Sequence, residues 1–234
     1  MKKFIAMLLV LVMAMSFAAC GASEPAFDPL QKAEGTMTYA EYAAAALESP
    51  VVVEGIVQGN QSRRDNKITV YAQDPDGAYF LYEMACSEED AAKLVKGTKI
   101  KVTGYKAEWS GELEIIDSTF EILEGNWVAE AQDVTELLGS DELINHQNKF
   151  VSFKGLTVEN IEYKNGEPGD DIYVTFGYNG ASYDFCVERN LTGPETEVYA
   201  AVGALKAGDV VNVEGFLYWY NGANTHITSV TPAA

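Results

Sequence analysis

The strongest constraint in the sequence is an internal repeat, in which similar patterns recur a hundred or more residues apart. VVVEGIV from Val51 matches VSFKGLT from Val151, and KGTKIKVTGY from Lys96 matches AGDVVNVEGF from Ala207. Five glycines correspond in order: Gly55, Gly77, Gly97, Gly104 and Gly111 match Gly155, Gly180, Gly208, Gly215 and Gly222. A repeat of this length predicts two similar units instead of one large domain.

Each repeat is expected to form five strands with one helix between the third and fourth. The strands of the first repeat are predicted near 51–58, 67–73, 78–84, 98–106 and 112–122, with a helix over 87–95. Those of the second are predicted near 150–158, 172–178, 182–187, 209–218 and 224–230, with a longer connection over 190–206. A short helical lead-in precedes each set, at 38–47 in the first repeat and at 133–138 with 141–144 in the second. The chain is therefore predicted to be mostly β.

Two of the repeated motifs also carry a family resemblance. VEGIV in the first strand and KGTKIKVTGY entering the fourth resemble OB domains of the tRNA-anticodon-binding-like group. The resemblance implies two tandem five-stranded OB-like barrels, over 36–124 and 130–234. It also implies that ligands bind across strands two and three, gripped by the loop between strands one and two and the loop between strands four and five.

The N-terminal residues are typical of a secretory signal. Lys2 and Lys3 precede an apolar run over 4–15, which is short for a membrane-spanning helix. The sequence Phe-Ala-Ala-Cys ending at Cys20 resembles the bacterial lipobox, whose cysteine is lipidated after cleavage. We therefore expect a signal peptide over 1–19, a flexible tether over 20–35, and a lipid anchor at Cys20 on the extracytoplasmic side of the cell membrane.

The gripping loops supply the candidate ligand-binding residues. In the first repeat they carry Arg63 and Arg64 and, on the second loop, Trp109. In the second repeat they carry Tyr218, Trp219 and Tyr220 beside an acidic loop. Aromatic rings offer stacking surface and arginines offer directional hydrogen bonds. The alternative left open is that the aromatic residues belong to the barrel cores and that the arginine pair lies on a solvated loop.

The charge balance shapes the expected ligand. The chain has 16 Lys and Arg against 35 Asp and Glu, which gives a formal net charge of −19. Both repeats are acidic, and single-strand binders of this fold rely on a positive groove. We therefore expect a neutral or cationic ligand, namely a glycan, a peptide or an envelope protein partner, and the charge disfavours nucleic acid. Binding of single-stranded nucleic acid is the alternative, and a purely structural pairing with another envelope protein is a third possibility.

Catalytic motifs are missing from the sequence. It contains no nucleophile elbow, phosphate-binding loop or zinc-ligand spacing, and His146 and His226 have no neighbouring motif. The acidic loop over 165–171 does not match an EF-hand and is interrupted by Pro168. We therefore expect a binding protein that is not an enzyme, with no metal and no cofactor.

Overall fold

A computed structural model describes residues 27–233, which are built mainly of β-strands. The predicted signal peptide and the predicted lipidation site at Cys20 lie outside these residues. Within 27–233, none of the helices is both long enough and apolar enough to cross a membrane.

The first repeat forms a closed five-stranded barrel, which confirms its predicted OB-like fold. Its strands are β1 (Pro50–Asn60), β2 (Lys67–Gln73), β3 (Ala78–Ala85), β4 (Thr98–Trp109) and β5 (Glu112–Asn126), and its helices are α1 (Tyr39–Ala44) and α2 (Glu88–Ala91). The strand order around the barrel is β1-β2-β3-β5-β4, and the pair β3–β5 is parallel. A parallel contact of this kind, with the helix in the β3–β4 connection, closes the barrel in the way an OB fold requires.

The second half of the chain forms a six-stranded sheet. Its strands are β6 (Gln132–Asp133), β7 (Phe150–Tyr163), β8 (Ile172–Tyr178), β9 (Ala181–Val187), β10 (Val210–Phe216) and β11 (His226–Pro232), with α3 (Glu197–Gly203) between β9 and β10. Two short 3-10 helices, Thr135–Leu137 and Leu143–His146, precede β7 where a helical lead-in is expected. The order is β10-β11-β9-β8-β7-β6, and β10 also pairs with β7. The prediction of a second OB-like barrel stays a prediction.

The β4–β5 hairpin is longer than the sequence pattern predicts, whereas α2 is shorter. The two strands pair almost continuously from Thr98 opposite Asn126 to Trp109 opposite Glu112. Gly104 lies at a register shift between the two strands and permits their close approach, because a Cβ there would lie 2.7 Å from the Cβ of Ser118. The hairpin therefore extends beyond the barrel and reaches the second half of the chain.

Alternating side chains fill the interior of the first barrel. Ile68, Val70 and Ala72 of β2 point inward and pack against Tyr79 and Leu81 of β3. These side chains are almost fully buried, and burial of apolar area is the main favourable term in folding. The intervening residues of β2 and β3 point outward, to the face on which OB folds bind their ligands.

Residues 27–35 pack against the first barrel, although the sequence predicts them to be part of a flexible tether. Lys32 Nζ lies 2.6 Å from Asp74 Oδ2 and donates to the carbonyl oxygen of Glu54. Lys99 Nζ pairs with Glu54 and donates to the carbonyl oxygen of Gln31. All four charged side chains of these two pairs are at most 10% exposed. These buried pairs and the hydrogen bonds of their lysines hold residues 27–35 against the barrel. The composition of 27–35 and its lack of periodicity do not reveal these contacts.

We expect the substitution Lys32→Met to destabilise the fold by about 3 kcal/mol, because it leaves the Asp74 carboxylate buried without its cation. The matched control is Lys67→Met, which breaks an exposed pair with Glu83 and should change stability little. Urea unfolding followed by circular dichroism measures both. Equal effects of the two substitutions would contradict the structural role of residues 27–35.

Candidate functional site

The second half of the chain covers much of the outer face of β2 and β3. Tyr71 of β2 and Phe80 of β3 point outward from the first barrel, yet each is at most 3% exposed. Phe216 at the end of β10 stacks on Tyr71, with ring centroids 4.3 Å apart and planes 12° apart. Tyr218 packs edge-on against Phe80 at 5.2 Å. The central part of the expected ligand-binding face is thus an internal joint between the two halves.

His226 completes this joint. Its Nδ1 is hydrogen-bonded to the hydroxyl of Tyr71, and its ring stacks on Tyr218 at 4.3 Å. Burial lowers the pKa of His226 to about 4, so the imidazole is neutral at physiological pH. No sequence motif predicts a role for His226, and the structure makes it a part of the interface.

The two predicted gripping loops that carry aromatic residues contact each other. The backbone N–H of Asn221 donates to the carbonyl oxygen of Ser110 at 2.7 Å. The N–H of Trp219 donates to Glu112 Oε2 at 2.8 Å. Gly111 lies so close to the indole of Trp219 that a Cβ there would be 2.8 Å from it. The loops therefore hold the two halves together, and only part of their aromatic surface is free for a ligand.

The predicted aromatic residues differ in exposure. Trp109 is 61% exposed and Tyr220 is 55% exposed, on neighbouring loops. Tyr218 and Trp219 are half-buried in the joint and against the core of the second half. The alternative that aromatic residues serve as core thus describes Tyr218 and Trp219 better than Trp109 and Tyr220.

The two predicted arginines have different environments. Arg63 Nε donates to the carbonyl oxygen of Cys86, and its guanidinium also binds the side chain of Asn66, so it fixes the loop before β2. The side chain of Arg64 is 84% exposed and contacts Asp65. Arg64 is therefore the better placed of the two to meet a ligand.

The structure does not bring the arginines to Trp109. Arg63 is held at Cys86, just beyond the end of β3. Trp109 on β4 pairs with Glu112 on β5. Because β5 runs parallel to β3 and Glu114 lies opposite Phe80, Glu112 lies opposite Ala78 at the start of β3. Trp109 is therefore near that end of β3. The two positions are separated by the length of β3, roughly 25 Å at about 3.3 Å per residue.

A groove lies on the part of the β2–β3 face that the second half leaves open. It has a volume of about 310 Å³, and its lining includes Gln61, Arg64, Lys67, Thr69, Tyr82 and Asn190. Tyr82 is 41% exposed, and Lys67 pairs with Glu83 at the edge of the groove. Asn190 comes from the second half, where its carbonyl oxygen accepts a hydrogen bond from the N–H of Ser62. Lys67 and Tyr82 are not among the predicted site residues, although the alternation of side chains on β2 and β3 indicates that both face outward.

The acidic loop between β7 and β8 is largely occupied by internal pairs. Lys164 Nζ lies 2.8 Å from Asp171 Oδ2 and near Asp170, which also faces Arg189. Within 27–233 there is no group of three or more His, Cys, Asp or Glu side chains that could hold a metal ion. Much of the loop's negative charge is therefore compensated within the loop and its neighbours.

Comparison with known proteins gives structural neighbours only. No protein-family model matches the sequence, and no curated protein matches it. A murine DNA-binding protein solved with double-stranded DNA is 13% identical, covers 79% of this chain and 100% of its own, and has a TM-score of 0.38. The p202 HIN1 domain in complex with a 12-mer double-stranded DNA is 12% identical, covers 88% and 99%, and has a TM-score of 0.33. A replication protein A heterotrimer bound to single-stranded DNA is 10% identical, covers 85% and 69%, and has a TM-score of 0.27. At these scores no function is carried over to this chain.

Two expectations drawn from charge are nevertheless wrong. We expected a neutral or cationic ligand and disfavoured nucleic acid, whereas the three neighbours above were all solved with DNA. The structure gives a physical reason for the error. The aromatic rings of Tyr218 and Trp219, which we expected to contact a ligand, pack into the protein instead. The net charge of the whole chain also does not reveal that Arg64 and Lys67 lie together at the groove.

We expect acid to weaken the joint through His226. Its pKa is lowered to about 4 in the folded protein, so between pH 6.5 and 4 the unfolded state binds the additional proton, and stability falls as pH falls. The expected loss by pH 4 is about 3 kcal/mol. Urea unfolding of the wild type and His226→Gln at several pH values isolates this effect. A constant difference between the two proteins over that range would contradict it.

Proposed function

We propose that the protein binds single-stranded nucleic acid in the groove beside the first loop of the first barrel. The observation that carries the proposal is the grouping of Arg64, Lys67 and Tyr82 on the open part of the β2–β3 face. This face, with the loop before β2, is where OB folds bind oligonucleotides.

The three side chains suit the two components of a nucleotide. An exposed tyrosine ring offers a surface on which a base stacks, with a gain of about 1–3 kcal/mol per base. Arg64 and Lys67 supply cationic donors for the phosphate groups on either side of that base. Gln61 and Thr69 line the same groove and add polar groups for the sugar or the base edge. A volume of about 310 Å³ is of the size expected for a small-ligand site.

The predicted aromatic residues extend this site along β3. The ring centroids of Tyr82 and Phe80 are 6.2 Å apart, and those of Phe80 and Tyr218 are 5.2 Å apart. Tyr220 lies two residues after Tyr218 in the chain. Trp109 projects from the neighbouring loop. We propose that a single strand runs from Arg64 and Lys67 past Tyr82 towards Trp109 and Tyr220. Arg63 then acts as a support of the loop, and Tyr218 and Trp219 as supports of the second aromatic contact.

Acidic side chains beside the groove set the expected strength of binding. Glu83 pairs with Lys67, and Asp65 contacts Arg64. Glu114 lies half-buried on the neighbouring strand, and its pKa is raised by burial and by the charge of Glu83. These carboxylates repel phosphate groups, so binding should be modest, strongly salt-dependent and stronger at mildly acidic pH.

The rest of the architecture is part of the same proposal. We infer that the second half is also an OB-like barrel, because the order β7-β8-β9-β11-β10 repeats that of the first barrel and β10 pairs back to β7. A signal over 1–19 and a lipid at Cys20 would place both halves on the extracytoplasmic side of the cell membrane. The protein would there capture nucleic acid without catalysing a reaction.

The central test is the double substitution Arg64→Ala with Lys67→Ala in the full chain. Fluorescence anisotropy with a labelled oligothymidine of about 16 nucleotides, the upper end of the site size for one OB fold, measures affinity against salt. We expect the affinity to fall at least tenfold. The slope of log K against log salt should become shallower by about 1.4, because two phosphate contacts are lost.

Two further variants sharpen this test. Lys154→Ala with Lys206→Ala removes the same charge from exposed positions of the second half and should leave binding nearly unchanged. Glu114→Gln removes a nearby negative charge and should strengthen binding and reduce its dependence on pH. No binding by the wild type at low ionic strength, or equal losses in both double variants, would overturn the proposed function.

The anchor has its own test, which does not depend on the ligand. The full chain expressed in a bacterium that processes lipoproteins should partition into the detergent phase after extraction, because its acyl chains add about 0.8 kcal/mol per buried methylene. Cys20→Ala should move it to the aqueous phase. Aqueous partition of the unaltered chain would refute lipidation.

A further inference from the structure

Glu112 is a fully buried carboxyl group in the joint between the two halves. It lies at the start of β5, and its Oε2 accepts the N–H of Trp219 from the second half at 2.8 Å. The neighbouring backbone is also bonded across the joint. Asn148 Nδ2 donates to the carbonyl oxygen of Leu113, and Gln147 Nε2 donates to the carbonyl oxygen of Gly111. Glu112 therefore lies where the two halves are most closely hydrogen-bonded.

The other oxygen of Glu112 is left without a hydrogen bond. Glu112 Oε1 and Asn148 Oδ1 are both buried, and neither has a hydrogen-bond partner among residues 27–233. The Asn148 side chain lies close enough to the Glu112 carboxyl group to lower its pKa, as does the N–H of Trp219, but burial raises the pKa by more than these two contacts lower it. The donation from Nδ2 to Leu113 fixes the orientation of the amide, because a reversed amide would place two acceptors together. A proton on Glu112 would remove the charge from a buried carboxyl group whose Oε1 has no hydrogen-bond donor.

We propose that Glu112 is a neutral carboxylic acid in the folded protein, and that the need to keep this proton in the joint between the two halves makes the fold less stable as pH rises from acidic to mildly alkaline values. The reason is the cost of a buried charge. An ionised carboxylate without a cation in an apolar interior is unfavourable, whereas the neutral acid can both accept from Trp219 and donate.

Among residues 27–233, no Lys, Arg or His side chain pairs with Glu112 to compensate a negative charge. Glu114 lies two residues along β5, and four tyrosines from other elements are close enough to feel its charge: Tyr39, Tyr42, Tyr71 and Tyr218. A tyrosine is neutral at these pH values, and Glu114 is a second acid. Burial accordingly raises the pKa of Glu112 to about 8.

The direction of the pH effect follows from this difference. The folded state keeps the proton up to about pH 8, whereas the unfolded chain releases it near pH 4.5. The folded state thus binds the additional proton between these values, and stability falls as pH rises through this range. One proton of difference lowers the folding equilibrium constant by up to about tenfold for each pH unit.

The test compares the full-length wild type with Glu112→Gln. The glutamine keeps the shape, accepts from Trp219 through its oxygen and donates through its nitrogen at every pH. Urea unfolding between pH 5 and 9 should show that the wild type loses stability relative to Glu112→Gln as pH rises. Infrared difference spectra of the folded proteins at pH 6 should show a protonated carboxylic acid band in the wild type that the variant lacks, and this band should disappear above pH 8.

The control is Glu121→Gln, which removes the same charge from an exposed position of the same strand and should follow the wild type. Parallel stability curves for wild type and Glu112→Gln, together with no carboxylic acid band at pH 6, would overturn the inference. Should the variant fail to fold, the infrared titration of the wild type alone decides the matter. The inference concerns the joint and stands whether or not the groove binds nucleic acid.

Discussion

The stacking of Tyr71 on Phe216 is the contact on which the remaining architecture depends. It places an outward-facing residue of the first barrel under a strand end of the second half, and the rings are 4.3 Å apart and almost parallel. Aromatic burial of this size contributes more than any single surface pair can, and it excludes water from the hydrogen bond between Tyr71 and His226. The same contact removes the centre of the β2–β3 face from the surface available to a ligand.

That coverage explains why the candidate site is displaced towards the loop before β2. Only the end of the face that carries Tyr82, Arg64 and Lys67 stays open, and the second half contributes Asn190 to its rim. A second exposed aromatic pair, Trp109 and Tyr220, lies at the other end of β3 on the loops that join the halves. Both regions depend on the fixed orientation of the two halves, since each is formed by residues from both.

The joint combines apolar packing with buried groups that titrate on either side of neutrality. His226 is neutral because burial lowers its pKa, and Glu112 is expected to be neutral because burial raises its own. The arrangement avoids buried charge at neutral pH, but His226 lowers stability as pH falls below about 6.5 and Glu112 lowers it as pH rises from about 4.5 to 8. By contrast, the N-terminal segment is held by two buried charged pairs, Lys32 with Asp74 and Lys99 with Glu54, in which each charge has a partner.

The sequence by itself determined the β-strands of the first barrel, because alternation of Ile68, Val70 and Ala72 with polar neighbours fixes which side of a strand is buried. The glycine pattern and the turn residues indicated where β2 and β3 end, whereas β4 and β5 run further than the pattern predicts. The sequence also placed six candidate residues on predicted loops but did not separate the exposed ones from the buried ones: Arg63, Arg64, Trp109, Tyr218, Trp219 and Tyr220. Only the tertiary structure decided that Tyr71 and Phe80 are buried although they face outward, and that the predicted gripping loops bind each other. Both results depend on contacts between residues more than a hundred positions apart in the chain. Neither the local periodicity of a strand nor the net charge indicates which distant residues meet.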